Sequence, residues 1–294
     1  MRQLLAFATA VTLTSSCGAL TRETDPASSA RHGEGSPSPS SRQQRRFVPE
    51  THEEGGEVVM PVTFPDGTTA ELAYPPELDL AALRVQPYSS GYGPGFGRDF
   101  LVYDRAVEDV VGAYEGAELL AEYDNGHGGA VGFWRLPPDG LYLAFQFDSW
   151  TVLVYDYGEE GAQMSDEDRS LWAANFHGRD AEDGFLLLEA EPPLALAKVG
   201  EHAGPELEFW TRSELLKGIL LFPGECTPYR EGEDGFDDIE MVNGLAVDRS
   251  NDFAAWCIPE GSMRVHVYQE PGGTFIDQVL EGLDVRNVSL ASSQ

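Results

Sequence analysis

From residue 48 onward, apolar and polar positions alternate with a period of two over short runs bounded by turn dipeptides, the pattern of half-buried antiparallel strands. Residues 58–64 and 68–74 flank Pro65-Asp66-Gly67, which predicts a hairpin. A proline-initiated helix is expected over 76–83. Apolar runs at 99–103 and 117–123 lead to a turn at Asp124-Asn125-Gly126. Residues 130–136, 141–147 and 151–157, separated by Pro137-Pro138-Asp139-Gly140 and Ser149-Trp150, read as three consecutive antiparallel strands. Two further helices have readable starts. Ser165-Asp166-Glu167-Asp168 fits a capping box whose acids suit the positive end of the helix dipole, and this helix should run to about His177 before Gly178 ends it. Thr274-Phe275-Ile276-Asp277 fits the same box, and Ile276, Val279, Leu280 and Leu283 form one apolar stripe.

The expected fold class is therefore α+β, mostly antiparallel sheets with a few packed helices. A weak internal repeat adds to it: Ser149-Trp150-Thr151-Val152-Leu153-Val154-Tyr155 aligns with Ser262-Met263-Arg264-Val265-His266-Val267-Tyr268 at an offset of 113. Each copy follows a strand-like run and turn and precedes a capping box and a second apolar run, at 185–188 or 285–290. The expectation is two related subdomains, 48–203 and 204–294, although common hairpin chemistry would give the same match.

The first 47 residues are of another kind. Met1 and Arg2 precede an apolar run of ten, residues 4–13, the length of a signal-peptide core and about half of what a membrane-spanning helix needs. Thr14-Ser15-Ser16-Cys17 resembles the lipobox of bacterial lipoproteins, which implies that Cys17 receives lipid. Of three cysteines, Cys226 and Cys257 then remain as a disulfide pair in the second subdomain. Ordinary signal cleavage near Ala19 would leave the same pair in a freely secreted protein. Residues 18–47 hold 12 Ser, Pro or Gly in 30 positions and cannot bury enough surface to fold, so they read as a tether. Its Arg42, Arg45 and Arg46 could touch anionic lipid or wall polymer, or simply end a solvated linker.

Charge narrows the function classes. The chain carries 19 Lys and Arg against 50 Asp and Glu, a net charge of −31. Six of the cations and three of the acids lie in residues 1–47, which leaves 13 against 47, or −34, on residues 48–294. Such a domain is repelled by nucleic acid and anionic membrane, so no nucleic-acid partner is expected; it attracts cations, basic proteins or divalent metals.

Catalytic signatures are few. No Gly-x-Ser-x-Gly elbow, Walker loop, His-Glu-x-x-His or EF-hand series occurs. His127-Gly128-Gly129-Ala130 looks like an oxyanion-hole segment, but without a nucleophile elbow it reads as a glycine-rich turn. Gly91-Tyr92-Gly93-Pro94-Gly95-Phe96-Gly97, with its proline and in an acidic context, reads as a surface loop. Glu231, Glu233, Asp234, Asp237, Asp238 and Glu240 place six carboxylates in ten residues. Glu233, Asp234, Asp237 and Asp238 are the candidate calcium ligands, a solvated charge run being the alternative. Phe133, Trp134, Tyr142, Phe145, Phe147, Trp150, Tyr155 and Tyr157 could stack on sugar rings if they shared a face, but alternation divides them, which points to core packing. His177, Asp180 and Asp183 could form an acid/base or metal group.

The leader, the Cys17 segment, the Ser/Pro tether and phrases such as VTFPDGTTAELAYPPELDL, LYLAFQFDSWTVLVYDY, LWAANFHGR and DFAAWCIPEGSMRVHVY resemble a group of lipoprotein-type secreted proteins of high-GC actinobacteria. That resemblance covers nearly the whole chain. It implies an envelope location and carries no catalytic residues. The expectation is an extracytoplasmic, lipid-anchored protein acting as a non-catalytic binding or accessory module, with an envelope protein or glycan as partner. The alternative is a secreted hydrolase using a carboxylate/His site.

Overall fold

The computed structural model describes residues 47–93, 96–138, 140–156, 163–201, 203–211, 217–227, 239–259 and 261–291. The leader, Cys17, the tether to residue 46, Tyr157, and Glu231, Glu233, Asp234, Asp237 and Asp238 lie outside them.

The first strands are β1 (His52–Glu54), β2 (Glu57–Thr63) and β3 (Thr69–Tyr74). The expected hairpin joins β2 and β3, with Asp66 Oδ1 accepting the Thr68 N–H at 2.9 Å inside the turn. In place of the helix expected over 76–83 stand two 3-10 turns, Pro76–Leu78 and Leu80–Ala82. Asp79 between them has φ 42°, and a left-handed residue cannot propagate a right-handed helix. Then come β4 (Arg84–Tyr88), β5 (Ser90–Gly93) and β6 (Phe96–Tyr103). The glycine run expected as a surface loop is instead the β5–β6 hairpin. Its glycines admit an indole: a Cβ at Gly91 or Gly93 would stand 2.8 or 2.9 Å from the Trp172 ring.

A short helix, α1 (Val107–Val111), precedes β7 (Glu118–Asp124), β8 (Ala130–Leu136), β9 (Gly140–Phe147) and β10 (Trp150–Tyr155). β8, β9 and β10 are the three antiparallel neighbours that alternation predicts. In α2 (Asp166–Asn175) the capping box forms: Ser165 Oγ accepts the Asp168 N–H and Asp168 Oδ2 accepts the Ser165 N–H, both at 3.1 Å. The Ser165 hydroxyl, donating at 2.7 Å, holds the Asp168 carboxyl below its ordinary range. The helix ends before His177, because Phe176 is extended and its ring packs against Phe100, Phe145 and Trp172. His177 and Gly178 therefore lie in β11 (Phe176–Asp180). Gly178 is small because the Phe147 ring occupies the space of a Cβ, not because it stops a helix.

The chain continues through β12 (Leu186–Ala190), β13 (Ala195–Leu196), β14 (Glu206–Trp210), β15 (Gly218–Pro223), β16 (Ile239–Val242), β17 (Leu245–Arg249), β18 (Phe253–Cys257) and β19 (Met263–Tyr268). It closes with α3 (Phe275–Gly282) and β20 (Asp284–Ser289). At α3 the second expected box does not form, since the Thr274 side chain makes no cap bond. A side chain from outside the helix substitutes for it: Gln269 Oε1, just past β19, accepts the Ile276 N–H at 2.9 Å.

All strand pairs are antiparallel. The two large sheets run β13-β5-β6-β10-β9-β8-β7 and β4-β14-β15-β19-β18-β17-β16. In each, six successive strands stand in the spatial order first, second, sixth, fifth, fourth, third, and a helix follows the sixth. In each, too, a strand from outside the six covers the first strand's edge: β13 pairs with β5, and β4 with β14. Two smaller sheets, β1-β2-β3-β20 and β11-β12, complete the layers.

One core, including Met60, Leu72, Leu207, Leu221, Trp256, Val265 and Ile276, lies between the four-stranded sheet, α3 and the second large sheet. Another, including Phe100, Phe145, Trp150, Val152, Trp172 and Leu188, fills the space between the first large sheet, α2 and β11–β12. A third and smaller one sits under α1 on the outer face of the first large sheet. Strands on both sides of residue 203 share the first core. Phe47 packs against the first two, with its ring 4.8 Å from Phe185 and 5.2 Å from Trp150.

Cys226 and Cys257 form the expected disulfide, with Cα atoms 5.7 Å apart and both residues buried. It ties the chain after β15 to the end of β18, closing a loop with a sequence separation of 31. Replacing both cysteines by serine is expected to lower the unfolding free energy by about 3–4 kcal/mol, the loop-entropy value for that length. Denaturant titration of the oxidised protein and the variant measures the difference.

Candidate functional site

Two cavities open on opposite sides of the first large sheet. The first is built on the β7–β8 turn. Asn125 Oδ1 accepts the N–H groups of His127 and Gly129, each at 2.9 Å, and Asp124 Oδ1 accepts that of Gly126 at 2.9 Å. Donors that an oxyanion would need are thus consumed inside the turn, in agreement with its reading as a turn. The loop holds His127 over β11, so that its ring lies 5.1 Å from that of His177 at an interplanar angle of 66°. His177 Nε2 is 3.8 Å from Glu191 Oε1. Both rings line a cavity of about 290 Å³ floored by Phe145, Phe147 and Phe176.

The other members of the group expected with His177 go elsewhere. Asp180 accepts the Ser149 hydroxyl at 2.8 Å, and Asp183 accepts that of Thr63 at 2.7 Å. Asp180, at the end of β11, thus holds the β9–β10 turn, and Asp183 holds the end of β2. Among the described residues, no group of three or more His, Cys, Asp or Glu side chains is arranged to hold a metal ion. Glu240, the described member of the acid cluster, pairs with Arg249 at 3.0 Å.

The second cavity, about 590 Å³, lies between α1 with the chain that follows it and the outer face of β7, β8 and β9. Its floor is made of small residues, Ala130, Gly132 and Ala144, and the Trp134 indole lies along the strand in the space that a Cβ at Gly132 would occupy. Val107, Val111, Tyr114 and Leu119 wall it, and Glu108 and Glu122 stand at its rim. Gln146 fixes the wall. Its Oε1 accepts the Val107 N–H at 2.7 Å, and its amide donates to Asp148 O at 2.9 Å and Trp150 O at 3.0 Å, tying α1 to the end of β9. Leu119 is 44% exposed, a large apolar side chain left open to solvent at the cleft.

The aromatic residues divide as alternation requires. Phe133, Phe145 and Trp150 are in the core beneath the sheet, whereas Trp134, Tyr142 and Tyr155 lie on the α1 side. Tyr114, Leu119, Glu108 and Glu122 carry no sequence signal of their own. The five-residue helix is too short to show a period, and only the return of the chain across the sheet places them opposite Trp134.

On the second large sheet, Trp210 lies across Gly218 with its ring 6.0 Å from Tyr268, and its Nε1–H donates to Glu208 at 2.8 Å. Burial, and then the neighbouring Glu208 charge, push the Glu206 carboxyl up to about 7. Burial, with Arg264 beside it, pulls the His266 imidazole down to about 4. Between its ordinary value and 7, folded Glu206 keeps a proton that the unfolded chain has lost, so stability falls as pH rises. His266 has the opposite slope, but that slope ends at its ordinary value of 6.5. Thermal stability is therefore expected to fall only slightly from pH 6.5 to 8, by roughly 0.5 kcal/mol or less. Glu206→Gln should flatten that limb in melts recorded across the range.

Compared with known proteins, the chain matches no family model, no curated protein and no solved structure.

Proposed function

We propose that the chain is an extracytoplasmic protein, lipid-anchored through Cys17 and held off the membrane by residues 18–47, that works as a non-catalytic binding or accessory module at the cell surface. The observation that carries the binding role is the cleft under α1. It is concave, has an aromatic wall, is open to solvent, and lies within the 300–1,000 Å³ typical of ligand sites.

The two large sheets are read here as related units. Their common strand order supports this, as do Asp156 and Gln269. These two stand at the offset of 113, each just past the sixth strand, and each accepts a backbone N–H at the start of the next helix. Asp66-Gly67 and Pro75-Pro76 recur as Asp183-Gly184 and Pro192-Pro193 at an offset of 117. On this reading the cleft belongs to the first unit, where α1 occupies the connection from second to third strand.

A photo-crosslinking residue at position 119, inside the cleft, should capture one envelope component reproducibly. The same residue at Met241, 69% exposed on the edge strand β16, should not. Equal capture from both positions would remove the cleft's claim. The secreted hydrolase remains a second reading because His127 and His177 face one cavity. Among the described residues no Ser, Thr, Cys, Asp or Glu lines that cavity, so on this reading a water activated by imidazole would be the nucleophile.

A further inference from the structure

The cleft under α1 combines three properties that together define a chemistry. Its lining includes the aromatic residues Trp134 and Tyr114 beside aliphatic Val107, Val111 and Leu119. Its rim carries Glu108 and Glu122, both exposed, and neither side-chain carboxylate has an ion-pair or hydrogen-bond partner among the described residues. Among the described residues, no Lys, Arg or His lines it. The remaining amide in the lining, Gln146, is occupied in holding α1 and offers a ligand little.

Resting on the reading of this cleft as the binding site, we infer that its ligand is a small organic cation, an ammonium head on an apolar body. An aromatic face attracts a cation through its quadrupole, more strongly as water is excluded. Two carboxylates without partners supply the counter-charge, and the −34 charge of residues 48–294 concentrates cations at every such surface. A neutral sugar would use the indole but leave the carboxylates uncompensated. An anion would meet an unfavourable potential throughout. The volume, about 590 Å³, fits a small molecule.

The test is calorimetric titration of the full chain with four probes: choline, benzyltrimethylammonium, 3,3-dimethyl-1-butanol (the uncharged isostere of choline) and cellobiose. Choline should bind about tenfold more tightly than its isostere, the ratio that a partly desolvated cation–π contact gives. The benzyl compound should be the tightest of the four. Glu108→Gln and Glu122→Gln, both on exposed side chains and expected to melt like the parent, should each weaken choline by roughly two- to fivefold and make its binding less sensitive to salt. Trp134→Ala should abolish binding, and Trp134→Phe should retain part of it if the indole acts as a π surface. If the isostere or cellobiose binds as well as choline and depends on Trp134, the cleft stands as a ligand site and the cation assignment falls. If none of the four binds, the assignment falls as well, and crosslinking at position 119 decides the binding module independently.

Discussion

Asp156→Ala is expected to lower the unfolding free energy by about 3–5 kcal/mol, the cost of leaving a buried charge without its partner. Asp156 is fully buried just past β10 and serves two roles at once. Its Oδ2 accepts from the Arg169 guanidinium at 2.9 Å, and its Oδ1 accepts the Met164 N–H at 2.7 Å, fixing the chain that enters α2. Arg169, itself 9% exposed, lies over the Phe133 ring at 4.0 Å, so it cannot swing into water without giving up that contact. Alanine would leave the guanidinium with Asp166, whose side chain is 86% exposed, and would leave the Met164 N–H without its acceptor. Asp156→Asn keeps an acceptor for Met164 and should cost less. The double variant Asp156→Ala/Arg169→Met should be less destabilised than the two single changes added together, because it removes both charges. Urea titration of the four proteins measures the coupling; strict additivity would show that the pair contributes nothing as a pair.

Trp150→Ala should cost a similar amount, about 3–5 kcal/mol, through a large cavity. The indole is fully buried at the start of β10, and its Nε1–H donates to Gly184 O at 3.1 Å across the turn that leads into β12. Phe47 rests on it and on Phe185, so one indole supports the place where two cores touch. Shortening it would loosen Phe47 from both. Trp150→Phe, which keeps an aromatic body but no donor, should lose markedly less. Equal losses in the two variants would place the value of Trp150 in its hydrogen bond instead of its volume.

How far the chain announces this architecture depends on how local each cause is. The hairpin at Asp66-Gly67, the strands β8, β9 and β10 and the Ser165 box follow from neighbouring residues alone, and these stand where alternation and capping chemistry put them. The Cys226–Cys257 pair follows from counting. Where a distant side chain supplies the cause, the local pattern misleads. Thr274 has the composition of a cap, yet Gln269 does the capping. Gly178 has the composition of a helix stop, yet the Phe147 ring explains it. The glycines near 91 and 93 look like a loop, yet they make room for Trp172 in a strand.

The same division governs the candidate sites. His177, Asp180 and Asp183 are close in sequence, but a strand turns alternate side chains to opposite faces, and each carboxylate is drawn to a hydroxyl on a different element. His127 and His177, fifty residues apart, meet because β7–β8 and β11 are packed together. The sequence by itself determined the strand-rich class, the local turns, the first capped helix, the disulfide pair and the acidic field, since each depends on composition or on residues within a few positions. Only the tertiary structure decided which edge strands close each sheet, where the cores divide, and that Trp134, Tyr114, Glu108 and Glu122 share one cleft. Those follow from strand order, and strand order is set by burial summed over the whole chain, which no short window of residues contains.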